Sequence, residues 1–408
     1  MNVLYIAYSC DPFNGSEDQI GWNIPRVSDE IGNVVHVITK MEHKESIKRH
    51  LEIDDKVKIK FHFVDIPRFY KKLFKGNLYS LRVMIWQKKA FKTAKRICKV
   101  NDIEIIHQVA PVEFRAIGNY GKIKNIPFVL GPIGGGFPIP KSMRKYTRFH
   151  IVSEGIRKLA NLVSFAMLKF NKKIQRCDYV FFLNEESRNA FQKHKIVIPE
   201  NKWSYHCEIG IVKTDIKKYK KNINNEFIFL VPGRLVYRKG HKLLLESIPR
   251  DVVGNIKYKF RIIGDGPMKK KLSRIIAKDD FLMKHVDLAG KVPYTSMQKE
   301  YLQSSVVILP SLSEGTGTVL IEALANCKPV ITSKYFGAKT FLDESVAWLY
   351  DGKNNFDLKS NLSESIKTAL NNNDLIEDKS KKACAFVDRF TWENRLKDFM
   401  KVYKNLIR

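Results

Sequence analysis

The chain has 408 residues, 44% of them hydrophobic, which is enough for two domains with sizeable cores and too apolar for general disorder. Its formal charge of +30 points to anionic partners (nucleic acid, an anionic membrane, phosphorylated small molecules) or to a solvated lysine-rich surface. The six cysteines, Cys10, Cys98, Cys177, Cys207, Cys327 and Cys384, include no C-x-x-C pair, which argues against a disulfide framework or zinc site and fits a reducing compartment.

The opening MNVLYIAYSC lacks a basic region and a cleavage site, so it reads as a first buried strand and not a secretion signal. Strands are predicted at Val3–Ala7, Val34–Thr39, Ile59–Val64, Ile103–His107, Phe128–Leu130 and Val180–Leu183, with a helix through Trp22–Ile31. Short apolar runs separated by helical stretches are the pattern of buried parallel strands. The longest apolar stretch, Leu159–Phe170, is shorter than the ~20 residues a bilayer-spanning helix needs. The expectation is a soluble or peripheral, cytoplasmic protein.

Residues Thr214–Asn225 are polar and lysine-rich without an apolar face and read as a linker. The pattern then restarts. Strands are predicted at Phe227–Val231, Lys259–Ile263, Val286–Leu288, Val306–Leu309 and Val330–Thr332, with helices at His241–Ile248 and Gly317–Ala325. The tail Thr391–Ile407 carries Trp392, Leu396, Phe399, Met400, Tyr403 and Leu406 at helical spacing. Two α/β units joined by a polar linker predict two doubly wound domains facing each other.

Chemistry concentrates in the second unit. Ser313 to Glu322 follows the strand Val306–Leu309 and opens an apolar helix. Ligands bind at the carboxyl ends of strands in open α/β sheets. Gly315 and Gly317 allow close backbone approach, and the free N–H groups of Gly317, Thr318 and Val319 can hold an anion such as pyrophosphate. Side chains on a helix lean towards its N-terminus, so Glu322 points back at the same ligand. Two carboxylates, Glu314 and Glu322, beside a phosphate are costly unless sugar hydroxyls donate to them. The bland reading is a solvated loop residue and an ordinary helix glutamate. Gly233 to Gly240, just past another strand, contains Arg234 and Lys239, a donor fork and a point charge suited to a diphosphate. The bland alternative is two surface cations in a chain with 72 basic residues.

Together these segments resemble the retaining family-4 glycosyltransferases (glycosyl transferases group 1) of the GT-B fold. The matching motifs are G-R-L-x-x-x-K-G at Gly233–Gly240, the Gly264-Asp265-Gly266-Pro267 turn, P-S-L-x-E-G-x-G with two glutamates from Pro310 to Glu322, and Pro329-Val330. The resemblance implies an α/β fold of two Rossmann-like domains around a central cleft, with the C-terminal helix crossing back to the first domain. The expected divisions are 1–213 for the acceptor-binding domain, 214–225 for the linker, 226–390 for the nucleotide-sugar domain and 391–408 for the returning helix. It implies that Arg234 and Lys239 contact the donor diphosphate, Glu322 holds ribose hydroxyls and Glu314 holds the donor sugar. Val292, within Gly290–Pro293, would lie beside the base. No metal and no cofactor is implied beyond a donor such as a UDP- or GDP-sugar. Thr316 and Cys327 depart from the family, which has an aromatic and a glycine at those positions.

The N-terminal half matches less closely. Gly15 and Ser16 fit the loop facing the donor in this family. Gly131–Gly136 either wraps a phosphate or sugar or is a flexible loop. His107 stands at a strand end where many relatives use histidines. It either takes part in catalysis, in place of a position that is Val109 here, or is structural. The implied reaction keeps the anomeric configuration and needs no protein base, because the leaving diphosphate can take the acceptor's proton. The implied setting is bacterial surface polysaccharide biosynthesis (capsule, lipopolysaccharide or exopolysaccharide) on a saccharide or lipid-linked acceptor.

The charge is clustered. Residues 66–100 hold eleven Lys or Arg and no acid, and 139–176 hold ten and one acid. Phe69, Tyr70, Phe74, Trp86 and Phe91 interleave the first window, and Tyr146, Phe149, Phe165 and Phe170 the second. Basic amphipathic segments suit the anionic inner face of a membrane, near a lipid-linked acceptor. A polyanion binder is permitted by the charge, but no nucleic-acid motif is present. A nucleotide-sugar epimerase of the same architecture is the other alternative. A dinucleotide oxidoreductase fits less well, because Ser9-Cys10-Asp11-Pro12 replaces a G-x-G-x-x-G turn.

Overall fold

The computed structural model describes residues 1–15, 17–74, 79–219, 226–252 and 256–407, apart from the side chains of Phe149, Tyr294 and Thr295. The chain divides into two compact units. Unit 1 comprises Met1–Phe137, Ile156–Gly210 and Trp392–Arg408; unit 2 comprises Pro138–Gly155 and Ile211–Thr391.

Unit 1 contains β1 (Asn2–Ala7), β2 (Val34–Lys40), β3 (Lys60–Val64), β4 (Ile105–Ala110), β5 (Phe128–Ile133), β6 (Tyr179–Phe182) and β7 (Trp203–Tyr205). They form one parallel sheet in the order β3-β2-β1-β4-β5-β6-β7. Every residue of β4 and β5 is buried, as expected of strands covered on both faces. The Trp392–Ile407 helix belongs to this unit and buries Trp392, Leu396, Phe399 and Tyr403, with Phe399 stacked 4.0 Å from His206.

Unit 2 contains β8 (Phe227–Pro232), β9 (Tyr258–Ile263), β10 (Val286–Gly290), β11 (Val306–Leu309), β12 (Val330–Ser333) and β13 (Ala347–Tyr350), also all parallel, in the order β10-β9-β8-β11-β12-β13. Residues 138–155, read from sequence as part of the first domain, pack on this unit through Ile139, Met143 and Tyr146. The division falls inside one helix, Ile151–Asn171, whose first five residues group with unit 2.

The predicted strands are present, with β4 beginning at Ile105 and not Ile103. The short strands β7 and β13 are not among the predicted ones: Trp203–Tyr205 is three half-buried residues with a serine at its centre, and Ala347–Tyr350 is an apolar run of only four. The expectation against disulfides is corrected: Cys327 and Cys384, 57 residues apart, are bonded. Spacing in sequence gave no sign of it, because the pairing is made by two helices meeting. The aromatics of the two basic windows divide between core and surface. Trp86 and Phe165 are each 1% exposed and Tyr146 is buried, whereas Phe69 and Phe170 are exposed. Of the linker, residues 220–225 lie outside the described residues, as does the side chain of Phe149.

Candidate functional site

In unit 2 the direction of strand addition reverses between β8 and β11. This is the topological switch point, where loops leaving neighbouring strands diverge and open a crevice. The two motif loops leave these two strands. Backbone bonds hold them in register. Gly233 N–H donates to Ile263 O at 2.9 Å and Leu235 N–H to Asp265 O at 2.8 Å, tying the β8 loop to the Gly264–Pro267 turn after β9. Leu312 N–H donates to Arg238 O at 2.7 Å, tying the β8 and β11 loops together. Gly240 is needed at this crossing: its φ is 70°, and a Cβ there would lie 1.8 Å from Pro310 O.

The charged side chains then fall into place. The Arg234 side chain is exposed and has no hydrogen bond or ion pair to a described residue. Lys239 Nζ donates to Glu314 Oε2, and Ser311 Oγ donates to the same oxygen at 3.1 Å. Gly317, at φ 92°, starts the Thr318–Ala325 helix. Thr318 and Val319 stand in its first turn, where N–H groups have no acceptor within the helix. Glu322, on the second turn, is half-buried and accepts from Tyr301 OH at 2.7 Å. Burial pushes its carboxyl up from the usual range, and the Tyr301 bond partly opposes that. Val292 follows β10 and is half-buried, beside Gly290, whose carbonyl accepts from Gly264 N–H.

Unit 2 thus brings together Lys239 and Glu314 directly, and Arg234, Gly317, Thr318, Val319 and Glu322 on the loops and helix around the same strand ends. Sequence reasoning missed Ser311 and Tyr301. Ser311 stood inside the motif and could have been suspected as a short-range donor. Tyr301 lies on another helix, Tyr294–Gln303, and carries no local signal. Thr316, where the family has an aromatic, is 2% exposed. Cys327 holds φ 57°, a left-handed conformation that explains the glycine expected there.

The N-terminal candidates lie in unit 1. Gly15 is in an exposed loop, and Ser16 lies outside the described residues. His107 is fully buried in β4. Its Nε2 lies 2.7 Å from Gly131 O, and its Nδ1 faces Tyr403 OH at 2.5 Å. A carbonyl only accepts, so Nε2 carries the proton and Nδ1 accepts from Tyr403. Burial lowers the His107 pKa to about 3, so the ring stays neutral. For His107 to reach a sugar, one of these internal bonds must break. Among the described residues, no three His, Cys, Asp or Glu side chains gather so as to hold a metal ion.

An anion with a polyol attached fits this arrangement of unit 2: Arg234 and the helix terminus offer donors, and Glu314 and Glu322 offer acceptors. Residues 212–383 match the family described as glycosyl transferases group 1. An uncharacterized glycosyltransferase of Methanocaldococcus jannaschii is 25% identical over 356 residues, covering 85% of this chain and 90% of the relative. The crystal structure of a glycosyltransferase from Rickettsia africae aligns over 100% of this chain and 98% of its own, with a TM-score of 0.65 and 16% identity. A protein of Anabaena, HepE, solved in complex with UDP, aligns over 99% of this chain and 100% of its own, with a TM-score of 0.63 and 15% identity. The chain thus has the GT-B fold of these structures, and its residues 212–383 match glycosyl transferases group 1.

Proposed function

We propose that this chain is a glycosyltransferase that moves a sugar from a nucleotide-sugar donor, such as a UDP- or GDP-sugar, to a saccharide or lipid-linked saccharide, with retention of anomeric configuration. The observation that carries the reading is the meeting of the two motif loops at the switch point of unit 2, with Lys239 on Glu314 and Arg234 free beside them. The HepE structure with UDP, of like fold, supports a nucleoside diphosphate as the bound portion.

In this reading Arg234, Lys239 and the N–H groups from Gly317 to Val319 hold the diphosphate. Glu322 accepts from ribose hydroxyls and Glu314 from sugar hydroxyls, with the base beside Val292. The bond between the anomeric carbon and the diphosphate oxygen breaks, and the acceptor oxygen bonds to that carbon on the same face. The acceptor's proton passes to the departing phosphate oxygen. The cations and the helix terminus stabilise the charge that builds there. In this reading the N-terminal domain binds the acceptor. The proposed setting is bacterial surface polysaccharide assembly at the anionic inner face of the membrane, engaged through residues 66–100 and 139–176.

A screen of nucleotide sugars for protection against thermal unfolding tests this. A true donor at 100 times its Kd stabilises the native chain by about 2.7 kcal/mol. Arg234→Ala and Lys239→Ala abolish the protection and slow transfer by roughly two orders of magnitude or more. Normal turnover in either variant, or no protection by any nucleotide sugar, sinks the reading.

A further inference from the structure

The Ile151–Asn171 helix is held to unit 1 along one face. Phe165 stacks on Phe114 at 4.6 Å and on His194 at 4.2 Å, Leu168 is buried, and Asn161 accepts from Arg115. The opposite face is open. Ile156 is 63% exposed, Leu159 62%, Val163 50%, Met167 43% and Phe170 87%. At 3.6 residues per turn these five fall within about 40° of Val163, and Ala160 and Ala166 widen the arc to about 60° on either side. The arc holds no polar residue from 156 to 170. Arg157 borders it on one side, and Lys158 and Lys169 on the other.

A continuous aliphatic stripe of this length is unusual on a water-facing surface. Its surroundings say what covers it. From Ile156 to Lys173 there is no acidic residue. A symmetric contact with a second copy would press these cations against themselves. An anionic bilayer matches both parts: acyl chains for the stripe, headgroups for the cations. No helix among the described residues is long and apolar enough to cross a membrane, so this helix would lie in the plane. The two basic windows also meet here. Ser80 Oγ donates to Glu113 Oε2 at 2.7 Å, and Arg115 bonds both Glu113 and Asn161. That chain sets the start of the basic Tyr79–Val100 helix beside the middle of this one.

We propose that this stripe inserts into the interface of an anionic bilayer, with Leu159, Val163 and Phe170 among the acyl chains and Arg157, Lys158 and Lys169 at headgroup level. The proposal rests on the peripheral-membrane reading above and sharpens it from adsorption by charge to insertion of a named helical face.

The test is flotation of the intact protein with phosphatidylcholine vesicles, with and without about 30% phosphatidylglycerol, at about 0.1 M and 0.5 M NaCl. Insertion predicts binding to the anionic vesicles that persists at the higher salt. The triple variant Leu159→Ser, Val163→Ser, Phe170→Ser loses it, by roughly tenfold or more per large side chain removed. Its melting temperature stays unchanged, because all three side chains face outward. Phe170→Trp adds quenching by brominated acyl chains beyond that of the wild type, which has five tryptophans. Binding that vanishes at 0.5 M salt and ignores the triple variant overturns insertion, as does the absence of extra quenching. A dimer dispersed by the triple variant, with no vesicle binding, assigns the stripe to a second copy and also overturns it. Thermal protection by nucleotide sugars is equal in the wild type and the triple variant; its absence from both marks failure of the transferase reading alone and leaves the vesicle result to decide insertion.

Discussion

Lys239 Nζ and Glu314 Oε2 form an ion pair at the switch point of unit 2, with Ser311 donating to the same oxygen. A lysine proposed for a diphosphate is thus held, without ligand, by a carboxylate proposed for a sugar. An incoming diphosphate must compete with Glu314 for Lys239. Both side chains are about one-fifth exposed, so the pair is partly screened. Glu314→Gln therefore strengthens binding of free UDP or GDP by roughly fivefold, about 1 kcal/mol, while it slows transfer by removing the sugar's acceptor. Lys239→Ala weakens both. Titration calorimetry with UDP and GDP reads the first effect; unchanged affinity in Glu314→Gln removes the competition.

Glu322 gives the proposed donor site a dependence on pH. Burial raises its carboxyl above the ordinary glutamate range, so on acidification it takes up a proton earlier than an exposed glutamate does. The protonated form offers fewer acceptor sites to ribose hydroxyls, and nucleotide affinity falls as pH drops through the raised value. Stability responds with the opposite sign. Between the unfolded and folded values the native chain binds more protons, so this group's contribution falls as pH rises through that window. Tyr301→Phe removes the bond that lowers the pKa, and the loss of affinity moves to higher pH. Glu322→Gln erases the step. Nucleotide affinity measured from about pH 5 to 8 checks all three, and a step that stays in place in Tyr301→Phe contradicts the coupling.

Much of this site is legible in the sequence, because its parts are local. Gly233–Gly240 and Ser313–Glu322 each follow a strand that is apolar throughout, and glycines mark where the backbone turns. The partner of Glu322 is not legible: Tyr301 sits 21 residues earlier on a separate helix. Nor is the grip of Lys239 on Glu314, which depends on β8 and β11 being neighbours. The stripe on Ile151–Asn171 is not legible for a different reason: apolar residues interleave the basic ones all along the window, and only some of them face out, Phe165 inward and Leu159 and Phe170 outward. Composition within a basic window does not say which face of a helix packs; only the phase relative to Phe165 and Leu168 does.

His107, expected at a strand end, lies within β4, and its bond to Tyr403 decides whether it is structural. The Tyr403 hydroxyl is the donor that Nδ1 of His107 uses inside unit 1. Tyr403→Phe leaves a buried acceptor unpaired at a cost of about 1–3 kcal/mol, read as a drop of several degrees in melting temperature. Because the buried ring titrates only near 3 while the unfolded one titrates near 6.5, unfolded chains bind more protons between these values. Stability from this group is therefore intact above the unfolded value and lost as pH falls through the window, at about 1.4 kcal/mol per unit. Nucleotide-sugar protection persists in Tyr403→Phe. If the variant keeps full stability but loses transfer, His107 belongs to the catalytic site after all.

The Cys327–Cys384 bond ties the end of the Thr318–Ala325 helix, which carries Glu322, to the Asn373–Phe386 helix. Closing a 57-residue loop removes entropy from the unfolded chain, worth about 4 kcal/mol in the chain-entropy account. Cys10, Cys98, Cys177 and Cys207 are in no disulfide. Alkylation of the denatured, unreduced protein should label those four, and reduction should expose two more. Reductant should lower the melting temperature, and Cys384→Ser should reproduce the drop and make it insensitive to reductant. Cys327 holds a left-handed backbone conformation at the end of this helix, so losing the bond also frees the one residue there that strains to keep the turn. Cys327→Gly, which relieves that strain, should therefore lose less stability than Cys384→Ser. Six labelled cysteines before reduction, or equal losses in the two variants, would show that the bond does not set the position of the Glu322 helix.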